Sequence, residues 1–210
     1  MKIKVIIING YAGVGKSTFV KYCKIKGDFG RYPYKQEQPN PYNTRVLEFS
    51  AIDPIKEIAT GIGWDGQKNP KDRKFLSDLK DLLTDYNDFP FKQTVGGIRT
   101  VINFFGILHS MYDDCNVIIF IHCREPKEIE RFKNELGARS LIIRRHESEM
   151  VEQINHADNG VFDAVYDYTI FNEGSLVELE DAANEFIEQL DREDWESHIP
   201  KEGVAYELHC

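Results

Sequence analysis

The 210-residue chain holds only four cysteines, Cys23, Cys115, Cys123 and Cys210, and none of them forms a C-x-x-C pair. That scarcity excludes a disulfide-built scaffold and a cysteine zinc site, and implies reduced thiols. An excess of positive charge is missing too. The formal charge is −9, so the average surface field repels nucleic-acid backbones, and no nucleic-acid polymer is expected as a partner. Any anionic ligand must instead be held by local lysines and arginines. Long apolar runs are absent. The stretch from Val5 to Ile8 is far too short to span a membrane or serve as a signal peptide, so a cytoplasmic protein with no membrane partner is expected. The six histidines show no H-E-x-x-H or related ligand spacing. No repeat of about 20–50 residues occurs, which removes solenoids and propellers.

What is present is an alternation of β-branched runs with helical-length segments. Strands are expected at Lys2–Ile8, Arg45–Phe49, Asn116–Ile121, Ser140–Ile143 and Tyr168–Phe171. Helices are expected at Gly15–Lys26, Pro54–Gly61, Pro70–Tyr86, Gly97–Asp113, Pro126–Leu136, Glu147–His156 and Ser175–Leu190. Asp53-Pro54 and Asn69-Pro70 each place a capping side chain before a proline at the first helical position, and Ser175 with Glu178 fits a capping box. Strand–helix alternation gives a parallel sheet covered on both faces, and continuous apolar runs such as VIIFI suit strands buried on both sides. The expected fold is therefore a three-layer α/β domain over residues 1–190, its five-stranded parallel sheet flanked by helices, with a helical insertion at about 53–114. The Pro- and Tyr-rich stretch Arg31–Thr44 reads as a surface loop, and residues 191–210 form an unassigned tail.

The segment VIIINGYAGVGKSTFV, Val5–Val20, carries the clearest chemistry. Within it Gly10–Ser17 matches G-x-x-x-x-G-K-[ST] between an expected strand and an expected helix, which is the setting that phosphate-cradling turns require. Glycines let backbone amides approach phosphate oxygens without an intervening Cβ, and a helix N-terminus aims further N–H groups at the same anion. The turn Gly10, Ala12, Gly13, Val14 and Gly15 would supply the backbone, and Lys16, Ser17 and Thr18 the side chains. Lys16 would reach the β- and γ-phosphates of ATP, and the Ser17 hydroxyl would ligate Mg²⁺. D-x-x-G and N-K-x-D are absent, as is an L-S-G-G-Q-like signature, which argues against GTPase switches and ABC-type ATPases.

With that turn and several short downstream matches, the first 180 or so residues resemble the P-loop nucleotide kinases, in particular the deoxynucleoside monophosphate kinase and phosphomevalonate kinase group. FSAIDPIK, Phe49–Lys56, is similar to that group's A/S-x-P-x-K segment, and RKFLSDL, Arg73–Leu79, to its R-x-x-L-x-x-L helix. HCREPKE, His122–Glu128, is similar to its D-x-R-x-x-x-E pattern, with histidine standing where aspartate is usual. Asp53 and Glu125 are the candidates for the displaced carboxylate. The resemblance implies a P-loop kinase fold and phosphoryl transfer from Mg·ATP to a small phosphorylated acceptor, first of all a (deoxy)nucleoside monophosphate. It implies catalytic roles for Lys16, for Arg124 and for one or both of Arg144 and Arg145. Acceptor contacts would come from Asp53, Lys56, Arg73 and Arg99, and donor-base contacts from Asn172 and Gly174.

Each site residue also has a plain structural alternative. Arg124 could pair with Glu128, four residues on along a helix; Arg144 and Arg145 could be exposed charges; Asp53 could be a helix cap; Arg73 sits among Lys71, Lys74 and Lys80 on what could be a solvated face. Two other functions stay open: a kinase for another metabolite, such as dephospho-coenzyme A or phosphomevalonate, and a nucleotide-binding regulator without turnover. A hydroxyl acceptor would need a general base, for which Asp53 is the sequence candidate.

Overall fold

A computed structural model describes residues 2–28, 44–67, 69–109, 116–149 and 160–198. Five strands, β1 (Ile3–Asn9), β2 (Thr44–Ser50), β3 (Asn116–His122), β4 (Arg139–Arg144) and β5 (Tyr168–Phe171), form one sheet in the order β2-β3-β1-β4-β5. Every pairing is parallel, with Ile6 opposite Phe120 and Ile8 opposite His122 across the central pair. All carboxyl ends therefore lie along one edge of the sheet. The expected α/β class is the one found.

The helices are α1 (Lys16–Asp28), α2 (Asp53–Gly61), α3 (Pro70–Asn87), α4 (Phe89–His109), α5 (Pro126–Leu136), the short α6 (His146–Glu149) and α7 (Leu176–Arg192). Strand alternation divides the core. Ile6, Ile8, Phe120, Leu141 and Ile143 face α1 and α7, where Phe19 and Phe186 meet them. Val5, Ile7, Ile119 and Ile121 face the other way, onto Val95, Ile98, Ile129 and Phe132 of α4 and α5. Burying each such side chain contributes about 1.5–3 kcal/mol before the entropy of ordering is charged against it. β1 is buried along its whole length, as its central place demands.

Local chemistry accounts for the element ends. Asn69 accepts the Asp72 N–H at 2.9 Å, and the capping box of Ser175 with Glu178 is present in both directions. Asp53 departs from expectation. It caps nothing; its carboxylate accepts the Ser50 N–H at 3.1 Å and the Lys56 ammonium at 2.8 Å, so it braces the turn that precedes α2. Helix α4 starts at Phe89, not at Gly97. Pro90 falls in its first turn, where no N–H is needed, and burial of Val95, Ile98 and Ile102 outweighs the weak helix propensity of Gly96 and Gly97. The insertion is helical as expected: among the described residues, only α2, α3 and α4 lie between β2 and β3. The expected loop over residues 31–43, the ends of two expected helices at 110–113 and 150–156, and the tail beyond 198 lie outside the described residues.

Residues 193–198, left unassigned by sequence, close the amino edge of the sheet. The Ser197 N–H donates to the Ile3 carbonyl at 2.9 Å, its hydroxyl accepts the Val5 N–H at 2.8 Å, and the same hydroxyl donates to the Gly137 carbonyl at 3.2 Å. Lys4, buried beneath them, donates to the carbonyls of Leu190 and Glu193 and so satisfies the end of α7. Among the described residues, no helix is long and apolar enough to cross a membrane.

Replacing Ser197 by Ala removes the acceptor for a buried Val5 N–H, so we expect a loss of about 1–3 kcal/mol in urea unfolding. A midpoint equal to that of the parent protein would refute this role for the tail.

Candidate active site

The turn after β1 is shaped by two glycines that nothing else could replace. Gly10 has φ 135°, and a Cβ there would lie 2.3 Å from the Ile143 carbonyl oxygen of β4. Gly15 has φ 96°, and a Cβ would lie 2.6 Å from the Asn172 amide nitrogen. Gly13 faces open space, as does the surface of the turn around exposed Ala12. Val14 is buried and anchors the turn in the core. Lys16 opens α1, and its ammonium bends back to the carbonyls of Gly10 at 2.5 Å and Tyr11 at 2.7 Å. The first helical bond joins the Phe19 N–H to the Gly15 carbonyl, which leaves earlier amides at the helix start aimed outward. Ser17 is exposed at that start and Thr18 half-buried beside it. The result is a turn with positive-φ glycines opening a helix and a lysine folded over it, where backbone N–H groups and Lys16 could hold a phosphate chain and the exposed Ser17 hydroxyl could meet an accompanying Mg²⁺. Among the described residues, no group of three or more His, Cys, Asp or Glu side chains gathers to hold a metal by itself.

Two asparagines set the turn in place. Asn172, at the end of β5, donates from its buried side chain to the Val14 carbonyl at 2.9 Å and from its backbone to the Arg144 carbonyl at 2.8 Å. This is support from beneath the loop, alongside which Gly174 makes room for the Glu178 carboxylate that folds back onto Ser175. Asn9, fully buried, accepts the Gly10 N–H at 2.7 Å and donates to the Tyr166 hydroxyl at 2.7 Å and to the Arg124 carbonyl at 3.2 Å. Sequence reading missed Asn9. Its only signal was a polar residue ending the apolar run Val5–Ile8.

Beside this turn, the ends of β2 and β3 bring charged groups together. Ser50 and His122 are partners in the ladder, and His122 Nε2 lies 2.8 Å from Glu48 Oε1. Glu48 also accepts from Lys24 of α1 at 2.5 Å. Burial holds the His122 imidazole below its usual pKa, only partly offset by Glu48, and the nearby Lys16 charge adds to the depression. Burial opposes ionisation of Glu48, but the bonds from Lys24 and His122 outweigh it and hold the carboxyl below its ordinary range. Glu48 was also missed, because a lone acidic residue in a strand shows no partner until β3 is laid next to it.

Arg124 stands two residues past the end of β3 and is half-buried at the same edge. The i+4 carboxylate expected as its alternative partner, Glu128, is buried and takes the Lys80 ammonium at 3.1 Å and the Cys123 thiol at 3.6 Å. Glu125, one candidate for the displaced carboxylate, is also held by Lys80, at 2.5 Å. Burial opposes charging of Lys80, yet Glu128 and Glu125 prevail and raise its pKa, while burial pushes Cys123 and Glu128 up. Lys80 thus docks α3 on the start of α5. Arg73 lies about two turns earlier on the same side of α3, exposed.

Arg144 ends β4 in a bidentate pair with Glu149, at 2.8 and 2.9 Å, and lies over the rings of Phe162 and Phe171. Phe162 in turn meets Tyr11 of the turn edge-on at 5.3 Å, so Arg144 borders the cradle. Arg145 pairs with Glu147 at 3.1 Å. Lys56 holds Asp53 on the β2 side. Arg99 is not brought to this edge. It pairs with Glu135 at 2.5 Å in the last turn of α5, a helix that runs from the carboxyl edge back toward the amino end of β4.

No family model and no curated protein sequence matches this chain. Similar solved structures include a shikimate kinase from Aquifex aeolicus, with TM-score 0.40 and 10% identity over 89% of this chain and 98% of that one. Another is a sugar kinase from a Janibacter species, with TM-score 0.37 and 11% identity over 89% and 95% of the two chains. Likenesses this distant add nothing to what the sheet and its edge show directly.

The depressed pKa of His122 has a consequence for stability. Unfolded, it takes a proton near pH 6.5; folded, only at lower pH, so between those values the unfolded chain binds more protons and stability falls as pH drops. We expect the melting temperature to fall more steeply from about pH 7.5 to 5.5 in the parent protein than in His122→Gln. Parallel lines for the two proteins would contradict a buried neutral imidazole.

Proposed function

We propose that the protein transfers the γ-phosphoryl group of Mg·ATP to a small phosphorylated acceptor, and that a (deoxy)nucleoside monophosphate is the first acceptor class to test. The observation that carries this reading is the cradle itself: a turn with Gly10 and Gly15 packed against neighbouring backbone and side chain, opening a helix, with Lys16 at its lip. A generic strand-to-helix turn requires none of these together.

In this reading the cradle amides and Lys16 hold the β- and γ-phosphates, and Mg²⁺ bound with the nucleotide and met by Ser17 supplies neutralising charge between them. Arg124, on the β3 end, faces the space where negative charge builds as the phosphoryl group moves. Arg144, bordering the cradle beside Tyr11, and Arg145 next to it serve on the opposite flank, which requires Arg144 to exchange Glu149 for phosphate. The insertion α2–α4 forms the acceptor side, where Arg73 and Lys56 offer handles for the acceptor's own phosphate. Closure of these helices excludes the water that would otherwise consume ATP.

Lys16→Ala should lower acceptor-dependent ADP formation by about 10²–10³-fold or more while circular dichroism and melting temperature stay unchanged. Arg124→Ala should reduce kcat far more than it weakens ATP binding by calorimetry, whereas Arg73→Ala should raise KM for the acceptor with kcat retained. Normal turnover by Lys16→Ala would end the proposal; slow ADP release indifferent to every acceptor would point to a nucleotide-dependent regulator instead.

A further inference from the structure

His122 and Glu48 form a pair that the mechanism above leaves unused. Their elements converge at the carboxyl edge: His122 ends β3, in register with Ile8 of β1 just before the cradle, and Glu48 lies on the adjoining strand β2. The ring is oriented by one bond, from Nε2 to Glu48 Oε1 at 2.8 Å, and Glu48 is itself fixed by Lys24 at 2.5 Å. Among the described residues Nδ1 has no hydrogen-bond partner, and it is not among the polar nitrogens sealed from solvent without a partner, which are Arg45 Nε, Trp64 Nε1 and Arg99 Nε. A ring nitrogen that is unbonded and reachable, on an imidazole whose other nitrogen donates to a carboxylate, is a proton acceptor. Burial keeps the ring neutral, and the charged groups around it are Glu48, Lys16 and Asp53, with Lys24 beyond.

The residue that sequence alone offered for this task is committed elsewhere. Asp53 spends its carboxylate on the Ser50 N–H and on Lys56. Transfer to a phosphate oxygen needs no base, because that oxygen is already anionic near neutral pH; transfer to a hydroxyl does.

We infer that the acceptor receives the phosphoryl group on a hydroxyl, with His122 as the general base and Glu48 as the group that orients it. This rests on the phosphoryl-transfer reading and narrows the accepting atom. The hydroxyl proton passes to His122 Nδ1, the oxygen forms the new bond to the γ-phosphorus, and the bond from that phosphorus to the bridging oxygen breaks. ADP leaves with the electron pair. Glu48 stabilises the resulting imidazolium, which returns its proton to solvent. The acceptor's own phosphate remains a handle for Arg73 and Lys56, so a nucleoside monophosphate would become a bisphosphate with two separate monoesters, not a diphosphate.

The test uses the full chain, His122→Gln and Glu48→Gln with Mg·ATP. Calorimetry comes first: absence of ATP binding by the parent protein would overturn the phosphoryl-transfer reading and with it this one. With binding established, products from a panel of nucleoside monophosphates and other hydroxyl-bearing phosphate esters are read by ³¹P NMR. A new phosphomonoester signal is the expected result, and a new phosphoanhydride doublet would overturn the inference. His122→Gln should lower kcat about 10²–10⁴-fold with the ATP dissociation constant retained, and Glu48→Gln should do so to a smaller extent. If no panel member is used, hydrolysis decides, since water is the simplest hydroxyl acceptor: slow ATP hydrolysis that falls in His122→Gln supports the base, and hydrolysis equal to the parent's removes it.

Discussion

A single close approach of backbone to backbone governs the functional edge of this protein. The turn after β1 passes so near the Ile143 carbonyl of β4 that no side-chain carbon fits at Gly10. That contact requires β1 to sit between β3 and β4, which requires a strand apolar on both faces, and Ile3–Asn9 is buried throughout. Once the turn is pinned, Asn9 extends the constraint to the Arg124 peptide and Asn172 extends it to the end of β5. The cradle, the arginine past β3 and the arginine that ends β4 are thus parts of one hydrogen-bonded frame, and their backbone spacing does not depend on side-chain chance.

The two edges of the sheet solve opposite problems. Buried strand ends expose N–H and C=O groups that must find partners. At the amino edge the chain provides them itself, through Ser197, Lys4 and the segment around Trp195, whose ring lies under Lys4 and Arg139. At the carboxyl edge the start of α1 leaves N–H groups without intrahelical partners beside the Gly-rich turn, an arrangement in which a helix N-terminus can take an anion. The same parallel topology that sends every carboxyl end to one side therefore separates the sealed edge from the one that carries the Gly-rich turn.

In a protein of net charge −9, carboxylates beside the Gly-rich turn would repel any anion brought there. Among the described residues several acidic groups at the carboxyl edge are engaged by a cation: Glu48 by Lys24, Asp53 by Lys56, Glu125 and Glu128 by Lys80, Glu149 by Arg144. Exposed pairs of this kind contribute little to stability, about 0–1 kcal/mol, so their larger effect is on the local field. The Lys80 cluster is the exception. Buried between α3 and α5, it ties the helical insertion to the residue after Arg124, and a charge left there without its partner would be costly.

Periodicity and short-range chemistry made most of the architecture legible in the sequence. Apolar and β-branched runs marked the five strands, the Asn69 cap and the Ser175–Glu178 box marked helix starts, and Gly10–Ser17 declared its geometry because glycine spacing, lysine and the strand–helix setting act within one turn of chain. The start of α4 was misread because burial of Val95 and Ile98, a tertiary fact, overrides two glycines. Partnerships across the sheet were wholly illegible. Only strand order places Glu48 against His122, Asn9 against Arg124 and Tyr166, and Asn172 beneath Val14, and only the packing of α4 on α5 pairs Arg99 with Glu135 away from the carboxyl edge. By itself the sequence determined the Gly-rich turn between β1 and α1 and the parallel α/β class, since both follow from contacts between near neighbours. The His122–Glu48 pair and the frame behind the arginines were decided by tertiary structure, because a hydrogen bond between residues about 70 to 160 positions apart exists only after packing has brought their strands together.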